Sequence, residues 1–170
     1  MSHTGSRPER RTVLLSELSV AVRHYTAAYA LFNQALADHF ELHPTDVQCL
    51  NLLSLEADRV TIGRVGELTG LSTGAATRLV DRLERAGYAT RERDAADRRR
   101  VLVATVPERM VAFGQVWQEL SRAWWQLFDD FDDDHLALLL RYMRRTAEFS
   151  ATQVIRLRSG EVGTPSAPAS

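Results

Sequence analysis

The stretch that most constrains this chain is Thr61–Val106, where two short amphipathic helix patterns run into two strand patterns separated by a polar tip. Thr61 is placed to cap a helix that carries Ile62, Val65 and Leu68 on one side, and Gly70 stops it. Ser72 then caps a second helix running to about Ala86, with Gly87 as its stop. At roughly 100° per residue, Ala76, Leu79, Val80 and Leu83 share one side of that helix. Arg78, Arg82 and Arg85 fall within roughly 60° of one another on the opposite side. Tyr88–Arg93 and Arg100–Val106 read as strands, the second rich in β-branched residues, with Asp94-Ala95-Ala96-Asp97 between them as a hairpin tip.

Long helical patterns flank this block. Leu18, Val22, Tyr25, Tyr29, Phe32 and Leu36 form a heptad seam on one long helix. Pro44, with Thr45 and Asp46 beside it, opens a further helix that turns Val47, Leu50, Leu53 and Leu55 inward. Pro107 ends the second strand and opens a helix with the heptad positions Phe113, Trp117, Leu120, Trp124, Leu127 and Phe131. Asp132-Asp133-Asp134 begins a last helix with Leu136, Leu139, Leu140, Met143 and Ala147 on one stripe. The expected fold is mainly α with a two-stranded β-wing: a winged helix-turn-helix, residues 43–106, inside a helical dimerisation frame, residues 12–42 and 107–158. Residues 1–11 and 159–170 read as disordered tails.

A net charge of −1 argues by itself against nucleic acid, but its distribution argues the other way. All 21 basic residues are arginine. Residues 61–106 hold 9 arginines against 6 acids, whereas residues 1–60 hold 5 against 7 and residues 107–170 hold 7 against 9. A basic centre between acidic flanks is the footprint of a single DNA-docking face. The physics of the motif agrees. A helix fits the major groove, and small residues at Thr73, Gly74, Ala75 and Ala76 let its backbone approach closely. A wing with Arg98, Arg99 and Arg100 beside its tip suits the negative potential of an adjacent minor groove.

The run from Ser72 to Tyr88, STGAATRLVDRLERAGY, followed by Arg93-Asp94-Ala95-Ala96-Asp97-Arg98-Arg99-Arg100-Val101, resembles the MarR family of bacterial transcriptional regulators. The match is specific from about His43 to Pro107, and the helix order outside it also fits. The resemblance implies a homodimer whose first and last helices interlock on a pseudo-palindromic operator in double-stranded DNA. It implies that Thr73, Ala75, Thr77 and Arg78 face the major groove. Ser72, Gly74, Arg82 and Arg98 complete the expected DNA-binding set. It also implies that Asp97 orients Arg99 by a salt bridge and that Arg99 enters the minor groove. Family members are commonly repressors that release DNA when a small lipophilic or phenolic molecule binds between the dimer helices and the DNA-binding lobe. Tyr25, Tyr29, Trp117 and Trp124 would line such a cavity, although aromatic stripes at heptad spacing more usually pack as dimer core.

Other signals lead elsewhere and are weaker. Gly70-Leu71-Ser72-Thr73-Gly74 matches the nucleophile-elbow pattern of hydrolases, but a helix precedes it and His135 is the only later histidine. No catalytic set is expected. The acidic run Asp129–Asp134 has His135 and Arg141 where an EF-hand needs Gly and Glu. His39 and His43 are four apart, but Pro44 breaks the helix and no third ligand is near, so neither metal nor cofactor is expected. Cys49 excludes an internal disulfide and sits in an apolar stretch, which predicts a buried, inert thiol in a reducing, cytoplasmic setting. No stretch approaches the roughly 18–20 apolar residues that span a bilayer, so no membrane partner is expected. The alternative function is a winged helix that meets an acidic protein surface instead of DNA.

Overall fold

The computed structural model describes residues 7–98 and 100–163, and the chain divides after Gly114 into two compact units. The first unit opens with α1, Arg7–His39. Arg7–Arg11, expected in a disordered tail, belong to this helix: Pro8 and Glu9 in its first turn suit a helix start. The rest of that predicted tail lies outside the described residues. Along α1 only Leu36 and Ala37 are buried. The heptad positions Leu18, Val22, Tyr25 and Tyr29 are exposed.

The α1 helix closes on Glu41, whose φ of 54° is left-handed. Leu42 N–H donates to the Ala37 carbonyl at 2.9 Å and Glu41 N–H to Asp38 at 3.2 Å, a Schellman closure without its usual glycine. His43 caps α2, Pro44–Leu53, and Val47, Cys49, Leu50 and Leu53 pack inward. Leu55, expected inward, is 80% exposed, because α2 ends at Leu53 and the turn after it breaks the helical phase.

Next come β1, Val60–Thr61; α3, Ile62–Thr69; and α4, Thr73–Arg85. They are followed by the hairpin β2, Ala89–Arg93, and β3, Val101–Thr105. The two-stranded wing, β3 and β2, is the outer part of a three-stranded antiparallel sheet in the order β1-β3-β2. Val60 pairs with Val103 on one side of β3, and Arg91 pairs with Val103 on the other. The core lies beneath the helix-turn-helix: Leu50, Val65, Ala76, Leu79, Val80 and Leu83 are fully buried. Each buried Leu or Val contributes about 1.5–3 kcal/mol. Phe113, early in α5 (Pro107–Trp125), closes one end of this core by packing on Phe40 at 4.9 Å and on Tyr88 at 6.5 Å.

The second unit holds the remainder of α5, a 3₁₀ turn Gln126–Phe128, and α6, Asp133–Arg158. Asp132 Oδ1 caps α6 by accepting His135 N–H at 2.8 Å, and Asp133 and Asp134 occupy its first turn, which accounts for the acidic run. Aromatic rings meet edge to face through the connection, Trp124 on Phe128 at 4.7 Å and Phe128 on Phe131 at 5.8 Å. Ser159–Gly163, expected in the C-terminal tail, begins with a helix closure in which Gly160 is left-handed and Glu161 N–H donates to Arg156 at 3.1 Å. The remainder of that tail lies outside the described residues. No described residue of the second unit is buried, and Leu140, Met143, Phe149 and Ile155 on α6 stand open. Among the described residues, no helix is long and apolar enough to cross a membrane.

Candidate nucleic-acid interface

The turn between α3 and α4 is built by three local devices. Thr61 Oγ1 accepts Arg64 N–H at 3.2 Å to start α3. Gly70, at φ 70°, ends it, and Leu71 N–H returns to the Gly66 carbonyl at 2.9 Å. Ser72 Oγ then accepts Ala75 N–H at 3.4 Å to start α4. Gly66 lets the two helices meet: a Cβ there would stand 3.0 Å from the Leu71 carbonyl oxygen and 3.7 Å from the Ala76 Cβ.

This packing leaves one face of α4 open. Ser72, Thr73, Gly74, Arg78 and Arg85 are exposed, and Ala75 and Thr77 are half-buried at its edge. Arg78 lies back along the helix, its Nη1 4.0 Å from where a Gly74 Cβ would stand. The guanidinium is thus carried toward the N-terminal turn of α4, whose free N–H groups also favour an anion. Thr77 Oγ1 donates to the Thr73 carbonyl at 2.8 Å, and Ser72 Oγ is used for capping.

Arg82 does not stand with Arg78. Its Nη2 meets Asp46 Oδ1 at 2.5 Å and its Nε meets Asp46 Oδ2 at 2.9 Å. Asp46 is 2% exposed, and the bidentate pair fastens α4 to the start of α2. The hydrogen bonds that Arg82 donates to Asp46 raise the Arg82 pKa above its ordinary value, against the opposing effect of burial. Arg82, expected among the DNA-facing residues, is tied to Asp46 while its side chain stays 37% exposed, because a buried carboxylate demands a charged partner.

Two further side chains of the site escaped the sequence reading. Arg91 on β2 pairs with Glu84, with Asp81 at 2.7 Å, and with the Thr77 carbonyl at 3.3 Å, all on α4. Its signal was available: strand alternation puts Arg91 on the same face as buried Ala89. Asp94 organises the wing tip. Its Oδ1 accepts Ala96 N–H at 2.8 Å, and its N–H donates to the Arg100 carbonyl at 3.1 Å. Arg98 and Arg100 are exposed there. Arg99, and with it the expected Asp97–Arg99 pair, lies outside the described residues.

The expected effector-lining rings fall in different units. Tyr25 and Tyr29 stack at 6.0 Å on α1, while Trp117 and Trp124 belong to the second unit, where Trp124 packs on Trp125 at 4.8 Å. Cys49 is fully buried, and burial pushes its thiol pKa up to about 12.

A sequence profile of the MarR family matches residues 40–100. The chain is 37% identical over 128 residues to YcgE, an uncharacterized HTH-type transcriptional regulator of Bacillus subtilis strain 168, covering 75% of this chain and 82% of that protein. Its fold is similar to that of a MarR family protein from Bacillus stearothermophilus, with TM-score 0.64 at 22% identity, over 84% of this chain and 97% of that one. A MarR family transcriptional regulator from Silicibacter pomeroyi aligns with TM-score 0.62 at 21% identity, over 88% and 98% of the two chains.

Proposed function

This chain belongs to the MarR family of transcriptional regulators, and from that premise we propose that it works as a homodimer on a pseudo-palindromic operator. The observation that carries the DNA-reading part is the open N-terminal half of α4. There Thr73, Gly74 and Arg78 are exposed over a buried aliphatic back, with the basic wing tip on the same unit. Thr73, Ala75, Thr77 and Arg78 read the major groove, while Arg98 and Arg99 serve the wing. Ser72 and Gly74 let the helix start close to the phosphates. Arg82 ties α4 to the start of α2 through Asp46 and keeps a partly exposed side chain.

Uncovered apolar surface supports the dimer. Leu18, Val22, Tyr25 and Tyr29 on α1 are exposed at heptad spacing, and no described residue of the second unit is buried. Contiguous apolar surface of this kind marks an interface. Residues 12–42 and 107–158 form it, and residues 43–106 form the DNA-binding region. The regulator acts as a repressor, and a small lipophilic effector releases it by favouring another spacing of the two recognition helices.

Selection of bound duplexes from a random library tests this reading. The enriched sequences will contain two inverted half-sites whose centres lie about 10–10.5 base pairs apart. A single unrepeated half-site would contradict the dimer, and no enrichment would contradict sequence-specific binding.

A further inference from the structure

The α4 helix carries Arg78, Arg82 and Arg85, but it also carries Asp81 and Glu84. Arg82 is matched by Asp46. Left to themselves, the two acids would cancel the charge of Arg78 and Arg85 and would repel phosphates across the groove. The structure matches them from the neighbouring strand. Arg91 projects from β2, bonds both carboxylates, and adds a third bond to the Thr77 carbonyl within the helix. Its side chain is 25% exposed, against 46% for Asp81 and 31% for Glu84, so the tie is partly shielded from water.

The position of this tie matters more than its strength. Arg91 pairs through its backbone with Val103, at the centre of the sheet whose outer part is the wing. Its guanidinium meanwhile holds Thr77, one turn after the start of α4, together with Asp81 and Glu84 on the following turns. Wing and recognition helix are thereby joined by a planar, three-point fork that a lysine, with a single charged nitrogen, cannot reproduce. We propose that Arg91 is a positioning residue for DNA recognition, which fixes the angle between the wing and α4 and masks Asp81 and Glu84 from the DNA. This rests on the DNA-reading role of α4, and it assigns to Arg91 no contact with DNA.

The test uses the full-length protein with four forms: wild type, Arg91→Ala, Arg91→Lys, and Arg91→Ala combined with Asp81→Asn and Glu84→Gln. Affinity for a selected operator is measured across a salt series, and amide exchange of α4 is followed without DNA. Arg91→Ala will lose roughly tenfold or more in affinity, Arg91→Lys will lie between it and wild type, and the triple variant will recover the part of the loss due to the bared carboxylates while staying weaker than wild type. The log–log salt slope will stay unchanged, and α4 amides from Leu79 to Arg85 will exchange faster in Arg91→Ala even in the absence of DNA. Undiminished affinity in Arg91→Ala overturns the proposal. So does a slope shallower by about 0.9 with no recovery in the triple variant, the mark of a lost phosphate contact. If wild type itself binds no duplex, the DNA-reading role fails; unchanged α4 exchange then separately overturns the tie, and faster exchange sustains it.

Discussion

Arg82 of α4 and Asp46 of α2, thirty-six residues apart, form a two-point ion pair with Nη2–Oδ1 at 2.5 Å and Nε–Oδ2 at 2.9 Å. The carboxylate is 2% exposed, and its other neighbour is Thr45 Oγ1 at 3.5 Å. Removing the arginine strands a buried charge, whereas removing both partners does not. Arg82→Ala is expected to lower stability by about 2–4 kcal/mol. In urea unfolding, Arg82→Ala with Asp46→Ala should show a coupling energy of about 1–3 kcal/mol in a double-mutant cycle. Additive losses would place the pair among surface contacts of little weight.

Gly66 and Gly63 sit in the same helix with opposite surroundings. A Cβ at Gly63 would meet Thr61 Oγ1 at 3.7 Å, ordinary contact, so Gly63→Ala should gain about 0.5–1 kcal/mol of helix propensity. At Gly66 the neighbour at 3.0 Å is the Leu71 carbonyl, part of the turn backbone and unable to swing aside. Gly66→Ala should forfeit that gain and weaken operator binding by shifting α3 against α4. Thermal melts of the two variants, run with anisotropy titrations, check the contrast. A Gly66→Ala protein as stable and as tight-binding as Gly63→Ala would contradict it.

Cys49 makes a statement about pH. Its thiol titrates near 9 when free and near 12 in the folded chain, so folding favours the protonated form. The associated stability is fully present below pH 9 and is lost as pH rises toward 12. Unfolding free energy should fall across that window by up to about 1.4 kcal/mol per pH unit from this group, and Cys49→Ser should remove the contribution. At neutral pH a thiol reagent should modify Cys49 only after the chain unfolds. Rapid labelling of the native protein would contradict the burial.

Arg78 is exposed on α4 and bends toward its N-terminal turn over Gly74. Arg78→Ala should cost about 1–3 kcal/mol of operator affinity if the guanidinium reads a base edge, with relaxed preference at one position. If it holds a phosphate, the salt slope should drop by about 0.9 with little change in sequence preference. The two outcomes separate in a competition binding series across single-base operator variants. Affinity, slope and preference all equal to wild type would remove Arg78 from the interface.

Much of the site was legible because its devices are local. Thr61, Gly70, Ser72 and Gly87 announce helix ends through chemistry that acts over three or four residues, and each does that work in the fold. The aliphatic back of α4 followed from helical period alone. What escaped depends on long-range partners. Period gives the direction of a Cβ, and it put Arg82 beside Arg78; it does not say where a long side chain ends, and Asp46 lies thirty-six positions away. At two residues, β1 is too short to show a period, so the third strand was invisible until β3 paired with it. Glu41 in a left-handed closure carries no signal, because the closure elsewhere uses glycine. Leu55 shows the same limit from the other side: an apolar residue just past a helix end follows the turn, not the helix.

Reading of a specific duplex by α4 and the wing is measured by fluorescence anisotropy with the DNA lying upstream of the protein's own gene. A scrambled duplex is run beside it at about physiological salt. Nanomolar binding to the first is expected, with at least roughly a thousandfold preference over the second and affinity that falls steeply as salt rises. Weak and equal binding to both duplexes, together with no enriched sequence from a random library, would contradict it and leave the winged helix as a surface for a protein partner.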